Sequence, residues 1–502
     1  MRDVRYGSRA VPDGSGATPG TLRYVGIPSH ARSSVSRTRA HAPRDWSRPA
    51  AAPLRDPRLS VAGGLADAFL AGEWDPPAMT RRGERAVGQR RVWIRDLALA
   101  ARHAYPQAPL DAPRELAWFL AACAPLRHAF SSAIERSEPV PTVRRRFVAR
   151  TAMGAARWPV MPLHSVRDLQ DLLGLGLGEL MWLADPRQLE RTVRDEQLRH
   201  YRYRWAAKSN GGVRLIEEPK PLLKHVQRVL NREVLDHIPP HDAAHGFRAG
   251  RSAITYASTH AGHAVVIHLD LEDFFGTITA GRVFGIYRSC GYPERVAHLL
   301  AALTTNSIPV SVWTPRSRPP SPLLADAHFR LGQHLRHPHL PQGAPTSPAL
   351  ANLSAYRLDL RLAGLAQTAG IVYSRYADDL ALSSSTHLTR SRVERLVSLV
   401  ERIATEEGFK VNPFKTFFQR ASQRQRLAGL VVNHRPNVDR REYDQLKAVL
   451  HNAARYGPHT QNRKNHPNFQ AHLLGRISRI NHLNPHRGER LLATFSQIDW
   501  AL

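Results

Sequence analysis

Two adjacent acidic residues interrupt an apolar segment of the chain. Asp378 and Asp379 lie in the stretch VYSRYADDLALSS, whose flanking residues are typical of two buried strands joined by a tight turn. A lone pair of aspartates in a turn is ordinarily turn chemistry, because the side chain accepts hydrogen bonds from its own backbone. Two crowded carboxylates in apolar surroundings, however, repel each other and need a counter-charge. The segment therefore predicts a hairpin whose acidic turn either caps itself or binds a cation.

A third carboxylate follows another predicted strand well upstream. In AVVIHLDLEDFF the apolar run predicts a strand, and Asp270 falls at its end, on the face opposite Leu269. Hard cations such as Mg²⁺ prefer carboxylate and phosphate oxygens and keep positions open for substrate. Two such ions can activate a 3′-hydroxyl and stabilise the leaving pyrophosphate, as in polymerases. The three aspartates together therefore indicate a metal-dependent nucleotidyl-transfer site.

The charge of the chain favours a polyanionic partner. Among 502 residues, 71 Lys and Arg outweigh 42 Asp and Glu, which gives a formal net charge of +29 at pH 7. Such an excess favours a nucleic-acid partner, although a genome that prefers arginine would shift the composition in the same direction without any functional reason. The length predicts two or three domains.

Cysteine usage and hydropathy argue against several classes of protein. Cys123 and Cys290 are far apart and lack CxxC spacing, which disfavours a disulfide scaffold or zinc ribbon and fits a reducing, cytoplasmic location. No apolar run approaches the ~20 residues that span a bilayer, so no membrane partner is expected. Residues 1–55 are rich in Arg, Ser and Pro without a hydrophobic signal region, and they predict a disordered basic tail.

Apolar periodicity and turn signals divide the rest of the chain. Residues 56–163 repeat apolar residues at three- and four-residue spacing and predict a helical extension of unknown role. Asn210-Gly211-Gly212 predicts the turn of a β-hairpin, and the Pro- and Arg-rich stretch near 308–340 predicts a surface loop. Asn484-Pro485 predicts the start of a C-terminal helix. The order of strands and clustered helices favours an α+β fold with an antiparallel sheet.

These motifs, taken in their order, resemble the reverse transcriptases, and within them the bacterial retron type. RYADDLALSS resembles the Tyr-x-Asp-Asp box, HLDLEDFFGTI the block of the first catalytic aspartate, LPQGAPTSPALAN the Gln-Gly box and GFKVNPFKT the block after it. The resemblance covers residues 200–500 and implies a right-hand polymerase fold with fingers, a palm built on an antiparallel sheet and a helical thumb. It implies fingers at 164–262, a palm with fingers insertions at 263–435 and a thumb at 436–502.

The resemblance also implies roles for individual residues. The metal would be bound by Asp270, Asp378, Asp379 and the backbone carbonyl of Leu271, and Lys415 would act as general acid toward pyrophosphate. The catalytic set is therefore Asp270, Asp378, Asp379 and Lys415. The residues implied to bind the incoming nucleotide are Lys208, Arg214, Phe275, Gln342, Gly343 and Tyr376. Those implied to contact nucleic acid are Arg248, Arg251, His260 and Gly429.

For a retron enzyme the resemblance implies a particular reaction. Such enzymes copy part of a cognate structured non-coding RNA into DNA, prime from an RNA 2′-hydroxyl, and leave a branched RNA–DNA product (msDNA) with a role in antiphage defence. The resemblance implies dNTPs as substrates, two Mg²⁺ ions with Mn²⁺ as a substitute, and Phe275 as a steric gate against the 2′-hydroxyl of ribonucleotides. An effector protein and a second copy of the chain are further candidate partners.

Two segments depart from the retron pattern. Tyr256 stands where the family has Asn in the element that ends at His260, and Leu427 and Ala428 replace the first two residues of a Val-Thr-Gly element, leaving Gly429. Two alternatives therefore stay open. One is another bacterial defence-associated or group II-like reverse transcriptase without a branched product, and the other is an RNA-binding scaffold that has lost catalysis. The intact Gln-Gly box and the three aspartates favour the retron-type enzyme over both.

Overall fold

The computed structural model describes residues 56–208, 211–316, 318–319 and 321–500. These residues all belong to one compact unit. The predicted basic tail at 1–55, and Asn210 of the predicted hairpin turn, lie outside the described residues. Among the helices that the structure describes, none is both long and apolar enough to span a bilayer.

Helices make up most of the fold. Their bounds are α1 Pro57–Leu70, α2 Pro76–Val87, α3 Val92–Ala104, α4 Pro113–Ala122, α5 Ala124–Glu135, α6 Val166–Leu173, α7 Leu177–Ala184, α8 Pro221–Glu233, α9 Ala253–Thr259, α10 Ala280–Ser289, α11 Glu294–Thr304, α12 Val310–Trp313, α13 Ala325–Arg336, α14 Ser347–Ser354, α15 Tyr356–Ala369, α16 Arg390–Glu406, α17 Arg440–Tyr456, α18 Phe469–Leu483 and α19 Pro485–Phe495.

Eight strands form three antiparallel sheets in the part of the chain described. Their bounds are β1 Tyr201–Ala207, β2 Val213–Pro219, β3 Val265–Asp270, β4 Val372–Tyr376, β5 Asp379–Ser384, β6 Phe417–Arg420, β7 Arg426–Leu427 and β8 Leu430–Val431. Strands β1 and β2 form the predicted hairpin, and β7 and β8 form a second, shorter one. The predicted α+β character with antiparallel sheets is therefore present.

The four-stranded sheet has the order β4-β5-β3-β6. Val265, Val266, Ile267 and Leu269 of the central strand β3 are all buried, because helices and the C-terminal hairpin cover the sheet. The register places Asp270, the last residue of β3, directly opposite Asp379, the first of β5. The sheet therefore ends in carboxylates just where its apolar packing stops.

Helices α1–α5 pack around an apolar core of their own, as the helical periodicity predicts. Asp75 begins α2 by accepting the backbone N–H of Ala78, and Pro76 occupies its first turn. The centre of this core is formed by the fully buried side chains of Leu65, Phe69, Ile94, Leu97, Leu116 and Leu120. Ion pairs join this helical unit to the rest of the chain, with Asp111 bound to Arg288 and Asp67 to Arg295.

The stretch 308–340 is not the surface loop that its prolines and arginines predict. It contains helix α13, in which Leu331 and Leu335 are buried and lie at helical spacing. The ring of Trp313 from α12 packs on the same side, stacked on His328 at 4.9 Å between ring centroids. The loop prediction is therefore wrong for residues 325–336. It rested on the proline content, whereas the short apolar period in this stretch indicates a helix.

The C-terminal helices α17–α19 enclose a separate small core. Asn484 caps α19 as predicted, because its side chain accepts the backbone N–H of Arg487 at 3.2 Å, and Pro485 follows it. The buried residues of this core are Tyr443, Leu446, Leu450, Leu473, Ile477, Ile480 and Leu491. These helices therefore form a distinct layer beside the sheet.

Candidate active site

Three aspartates meet at one end of the four-stranded sheet. Asp270 ends β3, Asp379 begins β5 opposite it, and Asp378 lies in the β4–β5 turn. The backbone N–H of Leu271 donates to the carbonyl of Asp378 at 3.0 Å, which holds the end of β3 against the turn. The structure therefore brings together four of the residues that the sequence predicts for the metal site.

The crowding of these carboxylates has an electrostatic cost. Burial, then the negative charges of Asp379 and Asp270, raise the pKa of Asp378 to about 6. Lys415 places its Nζ 2.7 Å from Oδ1 of Asp270, and His268 places its Nε2 3.1 Å from Oδ1 of Asp379. Burial opposes protonation of His268, but the hydrogen bond and charge of Asp379 outweigh it and raise the pKa of that imidazole. Two basic side chains thus partly compensate the acidic cluster.

The donor set fits a divalent cation. Within the described residues, no group of three or more His, Cys, Asp or Glu side chains is arranged so that it could enclose a metal ion. In this structure Asp270 bonds to Lys415 and Asp379 to His268. The negative charge that raises the pKa of Asp378 is the kind that a hard cation neutralises. An ion would therefore displace Lys415 and His268 from the carboxylates.

The acidic turn depends on a close backbone approach. Ala377 adopts a left-handed φ of +56°, unusual for a residue with a Cβ. Gly246 packs directly on this turn, and a Cβ added to it would lie 2.6 Å from the backbone N of Ala377. Any larger residue than glycine at position 246 would displace the turn that carries Asp378.

A buried arginine that the sequence motifs do not predict supports the turn. Arg375 is fully buried and donates to both carboxylate oxygens of Asp359, at 2.8 and 2.7 Å. Its remaining N–H groups reach Oδ1 of Asn352 at 3.0 Å and the carbonyl of Ala377 at 2.9 Å. Asn352 in turn donates to the carbonyl of Gly246 at 2.9 Å. An arginine inside a predicted buried strand was the available signal, because such a charge needs a partner.

The predicted nucleotide-binding loop is fixed to the β1–β2 hairpin. The backbone N–H of Glu217 in β2 donates to the carbonyl of Gln342 at 2.9 Å. Gly343 has a φ of +131°, and a Cβ there would lie 2.9 Å from the carbonyl oxygen of Glu217. The buried Glu217 carboxylate binds Nε2 of His339 at 2.9 Å and the amide of Asn306 at 2.8 Å. Hairpin and loop are therefore held in one arrangement.

The other predicted nucleotide contacts differ in exposure and in partners. Lys208 binds Asp273 at 3.0 Å rather than standing free. Arg214 is exposed on β2. Phe275 is half-buried, with its ring centroid 6.0 Å from that of Phe247.

His260 cannot contact nucleic acid in this structure, and that prediction is wrong. Its side chain is fully buried, with Nδ1 2.7 Å from Oγ of Ser383 and Nε2 2.7 Å from Oγ of Ser374. The imidazole therefore links β4 to β5 behind the acidic turn. Tyr256, which replaces the family's Asn, is also fully buried, and its ring lies 5.8 Å from that of Tyr376.

The buried imidazole should make stability depend on pH. Burial lowers the pKa of His260 to about 3. The imidazole is therefore protonated below about pH 6.5 in the unfolded chain but stays neutral in the folded chain. The free energy of unfolding should therefore fall by about 1.5 kcal/mol from this group between pH 6.5 and pH 5. Urea titrations should show a shallower pH dependence for His260→Gln, whereas the exposed His387→Gln should match wild type. Equal slopes for wild type and His260→Gln would contradict this assignment.

The remaining predicted nucleic-acid contacts lie at the surface. Arg248 binds Asp242 at 3.2 Å, and Arg251 reaches Nε2 of His245 at 3.1 Å, both partly exposed. Ala428 and Gly429, with φ of +46° and +76°, form the two-residue turn of the β7–β8 hairpin. Gly429 is exposed there, so it stays a candidate for contact through its backbone.

Comparison with known proteins assigns the chain to a family. Residues 206–443 match the family model described as "Reverse transcriptase (RNA-dependent DNA polymerase)". Retron Mx65 reverse transcriptase of Myxococcus xanthus is 38% identical over 337 residues, which cover 67% of this chain and 72% of that protein. The chain belongs to the retron reverse transcriptases. Retron Mx162 reverse transcriptase of the same organism is 35% identical over 350 residues, which cover 67% of each chain. Retron Ec86 reverse transcriptase of Escherichia coli is 30% identical over 240 residues, which cover 48% of this chain and 65% of that protein.

Membership fixes the reaction class. This retron reverse transcriptase is an RNA-directed DNA polymerase, and its domain implies the right-hand polymerase fold and the use of divalent metal. Enzymes of this family generally work with a non-coding RNA and dNTPs. The scaffold alternative without catalysis is therefore excluded by the family match together with the three aspartates, all present at one end of the sheet.

Proposed function

We propose that this enzyme copies part of a cognate structured non-coding RNA into DNA, primed from an RNA 2′-hydroxyl, to give branched RNA–DNA. The observation that carries the proposal is the convergence of Asp270, Asp378 and Asp379 at one end of a sheet in a chain related to retron reverse transcriptases. A 2′-hydroxyl primer needs the same activation as a 3′-hydroxyl, so the same carboxylates serve both priming and extension. The product's role is antiphage defence.

Mg²⁺ is the proposed metal, with Mn²⁺ as a substitute. Asp270, Asp378, Asp379 and the carbonyl of Leu271 would hold two ions. When bound, these would favour the deprotonated primer hydroxyl and neutralise charge on the pyrophosphate. Lys415, released from Asp270, would then be free to donate its proton to the leaving group, since its Nζ already lies at the edge of this cluster.

The proposed domain organisation follows the resemblance to right-hand polymerases. Residues 164–262 act as fingers, which present Arg214 to the triphosphate as a bidentate donor. Residues 263–435 act as the palm that carries the aspartates, and 436–502 act as a thumb against the duplex. Gln342 and Gly343 line the nucleotide pocket and Tyr376 packs near the primer end. Arg248, Arg251 and Gly429 contact the template or duplex backbone, and Lys208 reaches the triphosphate only on leaving Asp273.

The branched product is directly testable. The protein should be purified from its host and the bound nucleic acid sequenced with and without debranching enzyme. We expect a DNA that is covalently joined to RNA. This DNA should migrate faster after treatment with the debranching enzyme. Recovery of unbranched DNA alone, from a protein active in primer extension, would overturn the priming step while leaving the polymerase assignment intact.

Phe275 should set the preference for deoxyribonucleotides. Its half-buried ring beside Phe247 is proposed to occupy the space that a 2′-hydroxyl would need. Phe275→Val should therefore lower the ratio of kcat/KM for dNTP over rNTP by about 10- to 200-fold, the range for changes in a close-fitting apolar pocket. The exposed Phe414→Val is the matched control and should leave the ratio unchanged. Unaltered discrimination in Phe275→Val would rule out the gate.

A further inference from the structure

An arginine-rich surface lies on the helical unit α1–α5, outside the matched reverse-transcriptase residues 206–443. It is formed where the segment after α5 passes the C-terminal end of α2. The backbone N–H groups of Arg144 and Arg145 donate to the carbonyl of Ala86, at 2.8 and 3.0 Å. This contact sets arginines from two separate segments side by side. We call this the arginine surface, and its members are Arg81, Arg85, Arg144, Arg145, Arg146 and Arg150, all exposed.

Neighbouring carboxylates neutralise the arginine surface only in part, since burial raises the pKa of Asp67 and the charges of Arg295 and Arg146 oppose that rise. Ion pairs join many arginines elsewhere in the described residues, including Arg288 with Asp111 and Arg361 with Glu407. None of the six members of the arginine surface forms an ion pair within 4 Å in the part of the chain that the structure describes. By contrast Arg82, beside them, is used structurally, because it donates to the carbonyls of Ala68 and Phe69. Exposed guanidinium groups that form no ion pair, concentrated on two adjoining segments, are suited to an anionic partner.

The geometry favours phosphate over a base or an apolar partner. The guanidinium groups of Arg85 and Arg145 lie 5.9 and 5.6 Å from the ring centroid of Phe147. The ring is thereby engaged by two cations and holds them in place, rather than offering a free face for a base to stack on. Arginine's planar fork binds phosphate oxygens in a bidentate manner. The surface therefore matches a repeating array of phosphates without sequence readout.

We propose that the arginine surface binds the phosphate backbone of a duplex stem in structured RNA. This rests on the proposed function, in which the enzyme holds a structured RNA while copying part of it. A duplex presents phosphates from two strands at fixed spacing, which suits a rigid cluster of arginines on helical and connecting segments. The helical unit thus anchors an RNA stem, while the acidic site at the end of the sheet catalyses synthesis on the RNA strand that is copied.

The test compares two triple variants in the full chain. Arg85→Gln/Arg144→Gln/Arg145→Gln removes three cations from the arginine surface. The matched control, Arg127→Gln/Arg136→Gln/Arg395→Gln, removes three exposed arginines that also lack an ion pair but lie on α5, directly after its end, and on α16. Both variants should keep the wild-type thermal unfolding midpoint and wild-type extension of a short primer on a homopolymer template. Neither triple touches the acidic cluster.

The binding probe is a stem–loop RNA with a duplex of about 16 base pairs, long enough to span two minor grooves. For the surface variant, binding should weaken on the order of tenfold, and the slope of log K against log salt should fall by about 2 to 3, since each lost phosphate contact removes about 0.9. The control should keep the wild-type slope. Equal slopes in wild type and surface variant, or equal losses in both variants, would overturn the inference.

The same variants separate this inference from the alternatives. If the surface variant keeps stem–loop binding but loses binding to anionic lipid vesicles or an acidic polypeptide, the partner is not RNA and the inference fails. If the surface variant loses stem–loop binding while the host-purified wild type carries only unbranched DNA, the inference holds and the priming proposal fails. The two failures are therefore distinguishable.

Discussion

Replacing Asp378 and Asp379 together by alanine is expected to lower kcat for primer extension by about a thousandfold or more. The two residues supply two of the three carboxylates at the end of the sheet. Their loss removes several kcal/mol of transition-state stabilisation by the metal ions, and each 1.36 kcal/mol corresponds to a tenfold change in rate. Steady-state extension of a short primer with saturating Mg²⁺ measures the effect. The matched control is Asp236→Ala/Asp326→Ala, which removes two exposed carboxylates that form no ion pair.

Replacing Asp378 should increase the stability of the fold, although it removes activity. Because its pKa in the folded chain is raised to about 6, its ionisation opposes folding as pH rises from about 4 through 6, and the full penalty is present at pH 7. Asp378→Asn should therefore raise the free energy of unfolding at pH 7, without divalent metal, by about 1–3 kcal/mol. A variant that is inactive and less stable than wild type would instead indicate that Asp378 serves structure rather than metal binding.

Removing Arg375 is the second change with a large expected effect. Arg375→Ala leaves the buried carboxylate of Asp359 without its counter-charge, with the Tyr373 hydroxyl still donating to it, and releases the carbonyl of Ala377, so the free energy of unfolding should fall by about 3–5 kcal/mol. Arg375→Lys should rescue little, because an ammonium group cannot reproduce the bidentate contact. Urea titration and primer extension together measure the two consequences.

A double variant separates stability from positioning. Arg375→Met/Asp359→Leu replaces the buried ion pair by apolar side chains and should recover part of the lost stability, since the buried hydroxyl of Tyr373 loses its acceptor. It does not restore the hydrogen bond to Ala377, so kcat should remain well below wild type while KM for dNTP changes little. Full recovery of kcat in the double variant would show that Arg375 acts on stability alone.

The acidic site was predictable because its residues are adjacent or fall at strand ends. Asp378 and Asp379 share one turn, and the end of β3 at Asp270 is marked by the loss of apolar residues. Lys415 and Gly343 were accessible only through the family resemblance, since nothing in their local pattern points to a distant carboxylate or to the backbone of Glu217. The cap at Asn484 was predictable because it is purely local.

Features that depend on contacts distant in sequence were missed or mistaken. The pairing of Arg375 with Asp359 joins a strand to a helix, and no spacing rule predicts it. His260 reads as a surface histidine until β4 and β5 bring Ser374 and Ser383 to both of its nitrogens. Helix α13 was hidden by the surrounding prolines. For Arg375 and His260, tertiary packing outweighed the local composition.

The strand register has a practical consequence. Side chains alternate along a strand, so a slip of β3 by one residue against β5 would turn Asp270 to the other face of the sheet. A misaligned molecule would thus have no metal site at all rather than a weakened one. Molecules with this misaligned register should therefore contribute nothing to turnover. The specific activity of a preparation, divided by the specific activity of its most active fraction, should measure the proportion of correctly paired molecules.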